Sequence, residues 1–231
     1  MPKNIVFIPS QLLTADLWAP QIAAFKGKAD CMVANNSGAD TIAGIAAGVL
    51  AAAPKSFSLC VHGMGGFVAF EILRQQPARV EKLILISTLA SADTPAQTAR
   101  RMGYLKLVEA GEFAKVVEER IPMMIPAERR GETALVDLVR KMASDTGAEA
   151  FLRQQKAIMA RIDSRPSLDK IKAPTLLIYG KHDGISTLDH QQEMLTGIKN
   201  ARLEIIEDSG HLVPIERPEK ASALIGNWVG I

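Results

Sequence analysis

The sequence predicts an α/β fold, a mostly parallel sheet of about six strands covered by helices, with a helical insertion after the fourth strand. Three observations lead there. Six short apolar runs rich in β-branched residues fall at 4–9, 30–34, 57–61, 82–88, 174–180 and 202–207. Helical patterns separate most of them, at 40–53, 66–76, 188–198 and 218–229, and this alternation is the mark of a parallel sheet covered on both faces. The interval 89–173 breaks the rhythm: it contains no convincing strand and carries helical spacing instead.

Taken in order, the first run closes at Pro9 and leads into a loop, Ser10-Gln11-Leu12-Leu13, that extends to Trp18. The helix at 42–53 is apolar but interrupted by Gly44 and Gly48, and it is too short for a bilayer that needs about twenty residues, so it reads as a helix with a buried face. The third run passes through His62-Gly63-Met64 into a helix that begins on Gly65-Gly66. After the fourth run, four helices are expected. The first opens at Asp93-Thr94-Pro95, with Asp93 as cap and Pro95 in the first turn, and stops at Gly111. The others cover 112–121, 127–146 and 148–162, with Leu135, Leu138, Val139 and Met142 on one stripe. Residues 1–88 and 174–231 then form the core, and 89–173 a lid subdomain over the edge of the sheet.

Composition narrows the function. Of 231 residues, 48% are hydrophobic and 23% charged, which excludes a disordered or fibrous chain. Lys and Arg number 27 against 25 Asp and Glu, so there is no basic field for nucleic acid or an anionic membrane, and a small-molecule partner is expected. Oligomeric state is left open. Cys31 and Cys60 lie in strands, and no signal-peptide core follows Met1, so a reduced cytoplasmic setting without a disulfide is expected. The four histidines show no metal-ligand spacing, and a dinucleotide loop begun at Gly63 would need glycine where Val68 stands; no metal and no cofactor is expected.

The chemistry should sit where the strand 57–61 turns into its helix, because backbone N–H groups and the helix dipole converge at the carboxyl ends of a parallel sheet. Here the chain resembles the α/β-hydrolase family, whose sharp strand-to-helix turn carries a nucleophilic Ser in a G-x-S-x-G pattern. Two further segments strengthen the resemblance. Thr175-Leu176-Leu177-Ile178-Tyr179-Gly180-Lys181-His182-Asp183 is similar to the family's acid-bearing strand and loop, and Asp208-Ser209-Gly210-His211 to its histidine loop. The order of turn, acid and histidine is the hydrolase order.

The resemblance implies Asp183 and His211 as catalytic acid and base, backbone donors at Gln11 and Met64 as an oxyanion hole, and Ser10, Leu12 and His62 beside the pocket. It also puts Gly63 at the nucleophile position. Two more departures accompany that one: Val61 replaces the first glycine of the turn, and Ser10 stands where a glycine commonly begins the oxyanion loop. Glycine keeps a strained turn, of order 1–3 kcal/mol for a residue with a side chain, while removing the attacking hydroxyl. Loss of a triad serine typically costs on the order of 10⁶ in turnover.

Acyl-enzyme chemistry is therefore expected to be excluded for this chain, and three readings follow. In the first, the protein is an ester or lactone hydrolase type, inactivated, or turning over through a water that His211 activates in the space vacated at Gly63. In the second it is a non-catalytic protein that binds a small ester, lactone or apolar ligand. In the third it is a cofactor-independent oxygenase or lyase. Met102, Met123, Met124, Met142 and Met159 either line an adaptable apolar pocket or pack the lid to the core.

Overall fold

The computed structural model describes residues 3–231. Six strands form one all-parallel sheet in the order β2-β1-β3-β4-β5-β6. They are β1 (Lys3–Ile8), β2 (Ala29–Val33), β3 (Phe57–His62), β4 (Val80–Ile86), β5 (Thr175–Gly180) and β6 (Ala201–Ile206). The helices are α1 (Ala19–Phe25), α2 (Ile42–Ala52), α3 (Met64–Gln75), α4 (Pro95–Glu109), α5 (Phe113–Met124), α6 (Thr133–Met159), α7 (Leu188–Gly197), α8 (Val213–Glu216) and α9 (Pro218–Val229). This is the predicted class, with each strand within two residues of its expected limits.

Alternation along the central strands builds two cores. Ile5 and Phe7 of β1 join Ile84 and Ile86 of β4 and Leu176 and Ile178 of β5, against Phe25 of α1 and Ile225 and Val229 of α9. Val6 and Ile8 point the other way and meet Leu59, Val61, Leu83 and Leu85, beneath Ile45 and Val49 of α2, Val68 and Ile72 of α3 and Met194 of α7. β3 is buried along its whole length, as a strand covered on both faces must be. Cys31 and Cys60 are free thiols on different strands.

Between β4 and β5 lie α4, α5 and α6. α6 is one run broken at Gly147, whose φ of 74° lies in the left-handed region, so the two helices expected on either side of that glycine meet end to end. The earlier of them starts at Thr133; residues 127–129 form a separate 3-10 turn. Asp93 does not cap α4. Thr94 does, in a capping box with Gln97, because Asp93 is engaged by Arg101 at 2.7 Å and Arg161 at 2.7 Å. Short α1 and α8 lack the length that would give them a visible period. Among the described residues no helix is long and apolar enough to cross a membrane.

The parallel register aligns the carboxyl ends of the central strands: Ile8 pairs with Val61, His62 with Ile86, and Ile86 with Ile178. The loops after β1, β3, β4 and β5 therefore emerge side by side.

Candidate active site

β3 ends at His62 and turns through Gly63 into α3. Gly63 has φ 51° and ψ −114°, a conformation glycine adopts without the strain a side chain would bring. Its N–H donates to Ile86 O at 3.0 Å, and its carbonyl accepts from Gly66 N at 3.0 Å and from Thr88 Oγ1 at 2.7 Å. The glycines that follow are demanded by proximity: a Cβ on residue 65 would lie 2.6 Å from Ile8 O, and one on residue 66 would overlap Thr88.

The loop after β5 presents Asp183, and the loop after β6 presents His211. His211 Nδ1 lies 2.9 Å from each Asp183 carboxylate oxygen. Asp183 also accepts from Ile185 N at 2.7 Å, Ser186 N at 3.1 Å and Ser186 Oγ at 2.5 Å. Burial by itself would raise the Asp183 carboxyl; the facing His211 ring and these hydrogen bonds outweigh it, leaving the group below the usual carboxylate range. With Nδ1–H donated to the carboxylate, Nε2 carries the lone pair, and it lies 3.5 Å from the point a residue-63 Cβ would occupy.

Two buried residues hold the histidine loop. Glu216, 2% exposed, accepts from Gly210 N at 3.0 Å and Leu212 N at 2.8 Å, one on each side of His211. His62 donates from Nε2 to His211 O at 2.7 Å. Burial, with the neighbouring His211 ring, lowers His62 to about 3, so it is neutral. His62 is wholly buried beneath His211 and is not part of the cavity wall, contrary to its expected pocket position; the strand runs one residue further than the pattern indicated and carries it inward. Leu12 is likewise displaced from the pocket: its side chain lies in the core beside Trp18, in a left-handed backbone turn at φ 63°.

The space at Gly63 is not vacant. Ser10, 6% exposed, fills it: a Cβ on residue 63 would overlap Ser10 Oγ and lie 2.9 Å from Ser10 Cβ. Met64 N donates to Ser10 Oγ at 3.1 Å, so the N–H expected to serve an oxyanion is engaged by a side chain. A buried network fixes that loop. Asn36 Nδ2 donates to Pro9 O and Ser10 O, both at 2.9 Å, while Gln154 receives Leu12 N at 3.3 Å and donates to Asn36 Oδ1 at 3.1 Å. Gln11 reaches the cavity with its Nε2 buried and without a partner.

The cavity, about 50 Å³ of space open to water-sized molecules, is walled on the sheet side by Ser10, Gln11, Gly63, Met64, Ser87 and His211. The opposite wall corrects an expectation. Of the methionines in the helical interval, Met124 and Met142 are packed in the core and Met102 is 46% exposed, and none of the five considered lines the cavity. Arg100, Arg101, Arg120 and Arg161 do. Ser10 lines the cavity as expected, but its place at Gly63, the arginine wall and Glu216 were not singled out in the sequence, because each depends on which segments the fold brings together.

A family model described as serine aminopeptidase, S33, matches residues 39–218. The chain is 25% identical over 187 residues to a pimeloyl-[acyl-carrier protein] methyl ester esterase of Aromatoleum aromaticum, covering 76% of this chain and 75% of that one. It is 36% identical over 188 residues to human monoacylglycerol lipase ABHD6, covering 74% of this chain and 54% of the lipase, so it spans about half that relative's length. Among solved structures, a thermophilic esterase from Thermogutta terrifontis superposes with a TM-score of 0.89 at 24% identity, over 99% of this chain and 90% of that one. The enol-lactonase from Burkholderia xenovorans LB400 superposes with a TM-score of 0.88 at 22% identity, over 100% and 92%.

Proposed function

The chain belongs to the α/β-hydrolase family matched by the S33 model, and from that premise we propose that it hydrolyses a small carboxylic ester or lactone, with His211, oriented by Asp183, as general base. One observation carries the reading. The Asp183–His211 pair is complete and buried, and its Nε2 faces the point above Gly63 where the family's hydroxyl would stand. A proton leaves a hydroxyl for Nε2 as that oxygen attacks the carbonyl, and the imidazolium that forms is stabilised by the Asp183 carboxylate. With the Met64 N–H held by Ser10 Oγ, the Gln11 amide is the donor left to receive the developing oxyanion. The interval 89–173 acts as a lid that keeps water from the reacting centre.

Support also comes from the relatives, one of which is a pimeloyl-[acyl-carrier protein] methyl ester esterase. Incubation with a panel of activated short-chain esters and lactones tests the proposal. His211→Ala is expected to lower kcat/KM at least about 100-fold, the usual contribution of a positioned base. Equal rates for the two proteins would overturn it.

A second reading, a ligand-binding protein without turnover, is favoured by the Met64 N–H being engaged by Ser10. Saturable binding of an ester or lactone, with no His211-dependent hydrolysis, is the outcome that would establish it.

A further inference from the structure

The turn residue Gly63 has no side chain, and the facing loop residue Ser10 places its hydroxyl in that space. We infer that Ser10 is the nucleophile. Its Oγ overlaps the place of a residue-63 Cβ, and His211 Nε2 lies 3.5 Å from that same place; hydroxyl and base flank one point without a hydrogen bond between them at rest, and the proton transfer needs the Ser10 hydroxyl to turn from Met64 N toward Nε2. The Met64 N–H at 3.1 Å polarises the Ser10 oxygen at the amino end of α3, where the helix dipole favours negative charge. The Asn36–Gln154 network holds the loop against drift. The unpartnered Gln11 Nε2 beside it is free to take up a carbonyl oxygen.

The step balances without a cofactor. Ser10 Oγ bonds to the acyl carbon, its proton goes to His211 Nε2, and the carbonyl π pair moves onto oxygen. Collapse breaks the bond to the alkoxy group, which takes the proton from His211 and departs as an alcohol. Water, deprotonated by the same nitrogen, bonds to the acyl carbon; the bond to Ser10 Oγ then breaks, the acid leaves, and His211 returns the proton to Ser10 Oγ.

A fluorophosphonate probe followed by peptide mass mapping tests this without any knowledge of the substrate. Wild-type protein is expected to carry the phosphonyl group on Ser10, and Ser10→Ala to lose both the adduct and at least about 10³ in kcat/KM while keeping its melting temperature within a few degrees. The double variant Ser10→Gly/Gly63→Ser, which restores the usual layout, is expected to label at position 63. Absence of labelling, or an adduct on the neighbouring cavity residue Ser87, would overturn the assignment. Hydrolysis that survives Ser10→Ala yet still requires His211 would overturn it too, while leaving the general-base proposal standing.

A separate observation concerns what the cavity holds. Four arginines line it, Arg100 at its exposed rim, and Asp93 pairs with Arg101 and Arg161. Arg120 is 7% exposed, its Nε is buried without a partner, and neither it nor Arg100 enters an ion pair among the described residues. The Tyr104 ring, 6.0 Å from the Arg120 guanidinium carbon, gives a cation–π contact but no counter-charge; a buried cation without an anion is costly, and an anion placed against it removes that cost. The geometry points to a substrate bearing a free carboxylate, held by Arg120 and Arg100, with its ester or lactone carbonyl turned to Ser10 and His211.

This second assignment rests on the hydrolase reading for its carbonyl but not for its anion, so binding and turnover are measured apart. In calorimetry succinate is expected to bind, and succinamide at least tenfold more weakly; Arg120→Met, which keeps the volume and removes the charge, is expected to abolish the difference. In turnover, monomethyl succinate is expected to exceed dimethyl succinate at least tenfold in kcat/KM. Equal binding of succinate and succinamide, or an unchanged preference in Arg120→Met, would overturn the anion site. Succinate binding without hydrolysis of either ester would uphold it and tell against the hydrolase reading.

Discussion

Replacing Glu216 with alanine should destabilise the protein through two specific hydrogen bonds. The carboxylate, fully buried, receives Gly210 N at 3.0 Å and Leu212 N at 2.8 Å, and no other acceptor serves those donors. Leaving a buried N–H unsatisfied costs about 1–3 kcal/mol, so two of them cost about 2–6 kcal/mol. Arg129 loses a partner at 3.2 Å but keeps Glu132 at 2.6 Å, in a half-exposed pair that adds little. For a domain of this length, each kcal/mol lowers Tm by about 2–4 °C, so the expected drop is about 4–24 °C. Thermal unfolding followed by circular dichroism measures it. Glu216→Gln, which keeps one acceptor and presents an amide to the other donor, should fall between the two. A drop below about 2 °C for Glu216→Ala would show that the donors find water, refuting the account of how His211 is held.

Gly63→Ser alone should destabilise the fold, because its Cβ overlaps Ser10 in a turn at φ 51°; overpacking and left-handed strain contribute about 1–3 kcal/mol each, readable in denaturant unfolding at constant m. Asp183→Asn should lower kcat by about 10⁴, since the carboxylate selects the His211 tautomer and stabilises its cation. Stability should decline as pH falls below 6.5. His62, lowered to about 3 when folded, binds its proton only on unfolding, which removes about 1.4 kcal/mol per pH unit between those values; His62→Gln should flatten that slope in Tm measured from pH 7 to 5. Asp183, also held low, adds a further loss only as pH drops below its ordinary 3.8 toward its folded value.

Much of the fold was legible because strands buried on both faces must be largely apolar, as Leu83–Ile86 of β4 and Leu176–Tyr179 of β5 are. Gly147 likewise divides the helices that flank it, since a left-handed φ interrupts a helix whatever surrounds it. The cap of α4 was misplaced for a long-range reason: Asp93 fits a cap by sequence, but two arginines eight and 68 residues away claim its carboxylate. Asp183 and His211 were found because their loops carry local patterns, glycine before the histidine and a strand before the acid. His62 and Leu12 were placed at the pocket by nearness in sequence, and strand pleat and a left-handed turn direct them into the interior instead.

The sequence by itself determined that the sheet is parallel, that the turn at Gly63 lacks a hydroxyl, and that net charge is close to neutral. Each is a property of composition or of residues adjacent along the chain. Only the tertiary structure decided that Ser10 fills the space at Gly63, that Glu216 clasps both sides of His211, and that a nearly neutral chain gathers four arginines on one cavity wall. Those arrangements join residues tens of positions apart, and side-chain chemistry acts over a few ångströms of space rather than along the chain.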